Sequence, residues 1–263
     1  MKQLNHARPD RPKLKSRVRN LVEFKGIRQL SRQKYTEHIR DLYDGPAGSV
    51  LAIASLLSLH EPLVGRMLRK GRFDVTRFSR ILDIGSGAGQ ILGHLLRATD
   101  VSTEIVACDL SHQMLKRARN RIKSDRPDYV VGDMTRLPFA DGSFDCVTCG
   151  WVIEHLSDPR PGLKEFQRVL VPNGRVFLLA TEDTVSGFLT SHTWRCRTYN
   201  RQELQEACEE MGLPWHEQLW LSRVHRFFKL GGILVEAQKP VAADSVASNT
   251  VRTESDSVPV VSV

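Results

Sequence analysis

Ile81-Leu82-Asp83-Ile84-Gly85-Ser86-Gly87-Ala88-Gly89 is the stretch that decides how this chain folds. Apolar residues around one acid read as a short buried strand, which then breaks into glycines at alternate positions. The run that follows, Gln90 to Arg97, has helical character. Glycine lets the backbone turn sharply and lets a ligand approach with no Cβ in the way. A strand, a glycine turn and a helix N-terminus together form a nucleotide-sized cradle. The third glycine arrives one residue earlier than in the dinucleotide fingerprint Gly-x-Gly-x-x-Gly. The turn alone therefore fits an ordinary strand-to-helix connection as well, and the rest of the chain has to decide.

Downstream, Glu104 to Cys108 reads as a second strand with Asp109 at its carboxyl end. Asp109 lies 20 positions after Gly89, the distance at which nucleotide-binding α/β folds carry the acid that accepts from ribose hydroxyls. Ser111 is placed to cap a helix with Met114, Leu115, Ala118 and Ile122 as its apolar side. Tyr129 to Val131 gives a third strand, followed by Gly132 and Asp133, and Phe144 to Gly150 a fourth. A helix over Pro159 to Leu170 and the turn Pro172-Asn173-Gly174 lead into a fifth strand, Arg175 to Ala180. Strands alternating with helices at this spacing imply an α/β, doubly wound, mostly parallel sheet. Ligands in such sheets bind outside the strand carboxyl ends, where Asp83, Asp109, Asp133 and Gly150 would converge.

The segments LDIGSGAG (82–89), ACDLSHQML (107–115), GDMTRLPF (132–139), FDCVTCGWVIEHLSDP (144–159) and RVLVPNGRVFLL (168–179) resemble the class I S-adenosylmethionine-dependent methyltransferases, in particular the small-molecule (type 11-like) subgroup. The resemblance is strong over about residues 80 to 180 and looser over 198 to 238. It implies a seven-stranded sheet whose last strand is antiparallel and inserted beside the sixth, with helices on both faces. It also implies S-adenosylmethionine as cofactor. Gly85, Ser86, Gly87 and Gly89 would pass under its methionyl part, with Asp83 bonding nearby. Asp109 would hold the ribose hydroxyls, and Leu110 and Met114 would flank the adenine. Asp133 would accept from the adenine amino group, with Met134 supporting the ring. Gly150 and Trp151 would face the methionine end and the substrate. Core packing is the competing reading for Met114 and Met134.

The C-terminal part fits the same plan. Asn200 and Glu203 look like a capping box, Leu204, Ala207, Cys208 and Met211 fall at helical spacing, and Gly212 is placed to end that helix. Trp215 to Leu221 and Ile233 to Gln238 read as the two last strands. A nicotinamide-binding domain lacks that hairpin.

The net charge of +8 is unevenly spread. Residues 1–34 hold 11 of the 38 lysines and arginines against two acids, leaving 27 basic and 28 acidic residues elsewhere. We expect a flexible basic arm over 1–34, a helical cap over 35–79, the methyltransferase domain over 80–240 and a disordered tail over 241–263. An arm of this kind could touch nucleic acid or an anionic membrane surface. Five scattered cysteines suggest reduced thiols and a cytoplasmic setting, and no signal peptide is expected. Cys146 and Cys149 mimic a metal clip, but residues three apart on a strand point to opposite faces.

In the cap, Val50 to Leu59 reads as a strongly apolar helix and Pro62 to Lys70 as a second, short one. A greasy cap suits a hydrophobic or phenolic acceptor, and Tyr43 is a candidate to close over the cofactor. Methyl transfer mainly needs alignment of nucleophile and methyl. It needs a base only where the nucleophile must lose a proton. His155, just past the fourth strand in Trp151-Val-Ile-Glu-His155, is the candidate catalytic base, titrating near neutrality. Some quinone-pathway O-methyltransferases carry a similar Glu-His pair together with a further carboxylate that helps bind a metal. Trp151 stands at that carboxylate's position here, so no metal is expected. The segment Glu182 to Tyr199, with Phe188, His192, Trp194, Arg195 and Arg197, is the other candidate substrate wall, its arginines expected in a solvated loop.

A nucleic-acid methyltransferase is the alternative from a different class. Its amino-methylating members usually carry Asn/Asp-Pro-Pro-Tyr/Phe after the fourth strand, where this chain has Gly150-Trp151-Val152-Ile153. A module that keeps the cofactor but has lost turnover is the third.

Overall fold

A computed structural model describes residues 31–44, 60–69, 72–184, 187, 191, 195–220, 223 and 232–241. The expected helix Val50 to Leu59, most of the basic arm, nearly all of the tail and the residues Phe188, His192 and Trp194 lie outside that set. The described elements are α1 (Arg32–Asp44), α2 (His60–Arg69), β1 (Arg80–Ile84), α3 (Gln90–Ala98), β2 (Glu104–Asp109), α4 (His112–Ile122), β3 (Pro127–Val131) and β4 (Phe144–Gly150). They continue with α5 (Arg160–Val169), β5 (Leu170–Ala180), α6 (Arg201–Glu210), β6 (Trp215–Leu219) and β7 (Ile233–Gln238). Helix α1 runs across residue 34, where the sequence suggests the basic arm ends. Among the described residues no helix is long and apolar enough to cross a membrane.

The seven strands form one sheet in the order β3-β2-β1-β4-β5-β7-β6. β1 to β5 run parallel, and β7 is antiparallel to both β5 and β6. The inserted last strand is therefore present. The chain builds β1, β2 and β3 outward on one side, then returns to place β4 on the other side of β1. That reversal opens a crevice at the carboxyl ends of β1 and β4.

Successive strand residues enter opposite cores, as the period of two requires. On β1, Ile81 joins the face covered by α2, α3 and α4, and Leu82 the face covered by α5 and α6. β5 alternates likewise from Val176 through Phe177 to Leu178. Burial on both faces explains why these strands read as unbroken apolar runs. Cys146 and Cys149 lie in the two different cores, with the sheet between their thiols.

Two local expectations are corrected. Pro172-Asn173-Gly174 does not separate a helix from a strand, because β5 already begins at Leu170, paired with Phe144. The turn itself persists as a bulge: after the Leu170 pair the continuous ladder resumes at Arg175, opposite Cys146 and Gln238, with a left-handed Asn173 (φ 65°) between them. The capping box forms only in half. Asn200 accepts from the Gln202 N–H at 2.9 Å, but Glu203 pairs with Arg197 at 2.6 Å.

Candidate active site

The glycine turn sits at the mouth of the crevice. Gly85 and Gly87 adopt left-handed φ values of 66° and 53°, which L-residues adopt at a cost. A Cβ on Gly85 would lie 2.1 Å from a Val152 methyl, so the turn packs directly under the loop that follows β4. At Gly87 the nearest neighbours of such a Cβ would be 3.6 Å away, in ordinary contact. The turn is fastened to β2 by the Gly85 and Ser86 N–H groups, both donating to the Cys108 carbonyl. Gly89 then caps α3, whose first turn faces the crevice.

The strand-end acids are joined to this turn by hydrogen bonds. One Asp109 carboxylate oxygen accepts from Gly87 N–H at 2.9 Å, the other from Ser111 N–H at 2.8 Å. Ser111 in turn caps α4 through the Met114 N–H. Asp83 is buried, and its Oδ1 accepts from the Thr148 hydroxyl at 2.7 Å across the β1–β4 pair. Its Oδ2 is buried with no hydrogen-bond partner. Burial pushes this carboxyl up to about 6, against the pull of the Thr148 and Ser86 hydroxyls. A buried carboxylate left half satisfied costs stability, and an incoming ammonium group would relieve it. Asp133 lies past β3 and uses Oδ1 to accept from the Thr135 N–H and hydroxyl at 2.9 and 2.8 Å. Leu110 is partly exposed between β2 and α4, whereas Met114 is buried with its methyl facing Gly87. Met134 is half-buried against the α5 core.

Past β4, Gly150 is pressed against Ile91 of α3, where a Cβ would sit 2.1 Å from that side chain. Trp151 takes a left-handed φ of 56°, donates its N–H to the Leu179 carbonyl and packs on the core of the α3 face. The one-turn helix Ile153–His155 follows. Glu154 is fully buried. Its Oε1 accepts from Thr181 at 2.6 Å and its Oε2 has no partner, and burial pushes its carboxyl up to about 7. His155 is partly buried, and packing pushes its imidazole down to about 4 rather than leaving it near neutrality as the sequence suggests. It is a neutral imidazole at physiological pH.

The far wall differs from the expected solvated loop. Arg197 is buried, lies over the Tyr199 ring and bonds the Ser157 carbonyl as well as Glu203. Arg195, left-handed at φ 53°, is partly buried and donates to His38 Nε2 at 2.6 Å. Thr148 and Thr181 were open to a register argument, since each faces an acid from the neighbouring strand or loop. Tyr35 and His38 carried no such signal, because they reach the site from 120 and 157 residues away.

Residues 82–178 match the family described as Methyltransferase domain. The demethylmenaquinone methyltransferase of Paenarthrobacter aurescens (strain TC1) is 30% identical over 58% of this chain and 58% of that protein. The ubiquinone/menaquinone biosynthesis C-methyltransferase UbiE of Hahella chejuensis (strain KCTC 2396) is 27% identical over 59% of this chain and 64% of that protein. The chain thus spans less than two thirds of the length of these two relatives. Among solved structures, a putative methyltransferase bound to the Haloferax volcanii Trm112 activator superposes with a TM-score of 0.55 at 22% identity, covering 69% of this chain and 94% of that one. The match at residues 82–178 is thus a likeness to the methyltransferase domain family over that segment of the chain.

Proposed function

We propose that this protein transfers a methyl group from S-adenosylmethionine to a small-molecule acceptor carrying an ionisable hydroxyl of the quinol or phenol class. The observation that carries the cofactor assignment is Asp83 Oδ2, a buried carboxylate oxygen with no partner beside the glycine turn. An α-ammonium group is the charge it lacks. Asp109 supports the ribose assignment, because its carboxylate stands at the end of β2, held beside the glycine turn by the Gly87 and Ser111 N–H groups. Gly85, Ser86, Gly87 and Gly89 would lie under the methionyl part. Leu110, Met114, Asp133 and Met134 would line the adenine, and Gly150 and Trp151 the methionine end.

S-adenosylmethionine, when bound, supplies a methyl carbon on a sulfonium that is already a good leaving group. What remains for the protein is to orient the acceptor, exclude water and take its proton. His155 is our candidate for the last task, and the packing of its loop on the glycine turn through Val152 supports this reading. A neutral imidazole of lowered basicity matches a phenolic or quinol hydroxyl better than an aliphatic alcohol. The quinone-pathway names of the two relatives support this acceptor class.

Calorimetry should give binding of S-adenosylhomocysteine and none of NADH. Labelled methyl from S-adenosylmethionine should then pass to a reduced naphthoquinol or benzoquinol in a panel of phenols, alcohols and amines. His155→Gln should lower that turnover by a factor of roughly a hundred or more while cofactor affinity stays the same. NADH binding would overturn the cofactor assignment, and label found only on amines would overturn the acceptor class.

A further inference from the structure

The segment Gly132 to Ala140 leads from β3 toward β4 and, apart from a single bridge between Asp133 and Arg136, belongs to no helix or strand. It carries Asp133 and Met134 past the carboxyl end of β3. Its backbone groups must find partners outside a regular ladder. The Gly132 N–H donates to the Asp109 carbonyl at 3.0 Å, and the Arg136 N–H closes a turn on the Asp133 carbonyl at 2.9 Å. The far end is held by two side chains of α5. Glu165 accepts the Leu137 N–H at 2.7 Å, and Arg168 donates to the Leu137 and Phe139 carbonyls at 3.1 and 2.7 Å.

The two side chains also grip each other. Arg168 Nε and Nη2 donate to the two Glu165 oxygens at 2.9 and 2.8 Å, and Nη1 reaches Asp141 at 2.7 Å. A guanidinium has five N–H groups in a rigid fork, and these contacts match them one for one. The grip of Arg168 holds the Glu165 carboxyl below the ordinary carboxylate range, so the pair stays ionised through neutral pH. Its footing is rigid, since Leu163, Phe166 and Val169 set α5 in the core. Met134 comes down on the same helix, its sulfur 3.7 Å from where a Cβ on Gly162 would lie.

We infer that Glu165 and Arg168 are positioning residues that set the loop carrying Asp133 and Met134 against the adenine, and through it the selectivity for that base. This rests on the adenine role proposed for Asp133 and Met134. The pair is assigned no contact with the ligand. It acts by fixing both backbone groups of Leu137, four residues beyond Asp133. Hydrogen bonds weaken steeply with distance and angle, so a loop released at one end loses the alignment of the acid it carries.

The test is base selectivity, measured by calorimetry on the full chain with two ligands. One is S-adenosylhomocysteine, the other its analogue with hydrogen in place of the 6-amino group. Wild type should prefer the amino ligand by about tenfold or more, the order of a hydrogen bond to a carboxylate. Arg168→Lys keeps the charge but loses the fork, and should cut that preference by about threefold or more. A role in stability alone would weaken both ligands together and leave the ratio unchanged, which overturns the inference. If Arg168→Lys does not fold, Glu165→Gln is read in the same way, since its amide oxygen can still accept the Leu137 N–H. A wild type that binds both ligands equally removes the adenine role of Asp133, and the inference with it. An unchanged ratio in the variant beside a discriminating wild type removes only the positioning role.

Discussion

The Asp109 carboxylate accepts the Gly87 N–H at 2.9 Å, tying the end of β2 to the middle of the glycine turn. The acid assigned to the ribose therefore also shapes the loop assigned to the methionyl part. Removing it should cost binding twice, through a lost charged acceptor and through a looser turn. Hydrogen bonds to charged groups are worth about 1.5–3 kcal/mol, so Asp109→Ala should weaken S-adenosylhomocysteine binding by roughly 10- to 150-fold. Isothermal titration calorimetry measures this directly. An unchanged affinity would refute the ribose assignment.

Asp83 gives a pH signature. Its carboxyl is raised to about 6 by burial, so it is largely neutral at pH 5 and ionised at pH 7.5. Only the ionised form attracts an ammonium group. Affinity for S-adenosylhomocysteine should therefore rise from pH 5 to pH 7.5 in the wild type. Asp83→Asn should bind more weakly at pH 7.5 and show a flatter profile over the same range. Parallel profiles for the two proteins would detach Asp83 from the ligand's amino group.

These residues were legible because each rests on a local pattern. Asp83 and Asp109 end apolar runs, and the glycines alternate over five positions. β7 was legible from its apolar run although Glu236 interrupts it. That glutamate is buried and paired with Arg77 and Arg175 at 2.8 and 2.9 Å. Arg77 comes from another part of the chain, so the sequence alone does not disclose the pairing. The acceptor side was read less well for the same reason. Arg197 belongs to a buried network with Ser157, Tyr199 and Glu203 that no spacing encodes. The titration of His155 depends on packing, which a motif does not carry, and Tyr35 arrives from a helix far away in sequence.

Glu154 predicts how stability varies with pH. Burial raises its carboxyl from 4.5 to about 7, so the folded state holds this proton more tightly than the unfolded chain. Between about pH 4.5 and pH 7 this group's contribution to stability falls as pH rises, by on the order of 3 kcal/mol across the window. Glutamine keeps the shape and cannot ionise. The melting temperature of Glu154→Gln minus that of wild type should therefore increase from pH 4.5 to pH 7.5. Taking the difference cancels the contributions of Asp83 and His155. A difference that stays flat with pH would show that Glu154 is not held protonated by burial.

The contact between Gly85 and Val152 separates two reasons for a glycine. Gly85→Ala meets a Val152 methyl at 2.1 Å and must also hold a φ of 66°. The left-handed conformation alone costs a non-glycine residue roughly 1–2 kcal/mol. The clash adds to that, because neither the turn nor the loop after β4 can move without disturbing the other. Val152→Ala removes the two closest atoms but keeps the Val152 Cβ, 2.8 Å from the added Cβ, along with the backbone strain. In a double-mutant cycle the pair should be less destabilised than the sum of the single variants. The residual loss in Gly85→Ala/Val152→Ala, after subtracting that of Val152→Ala, should fall below the loss in Gly85→Ala alone but stay above the conformational cost, because the Cβ at position 152 remains at 2.8 Å. Chemical denaturation of the four proteins supplies the numbers. Strict additivity would mean that the turn does not bear on the loop carrying His155, and that cofactor and acceptor sides are mechanically independent.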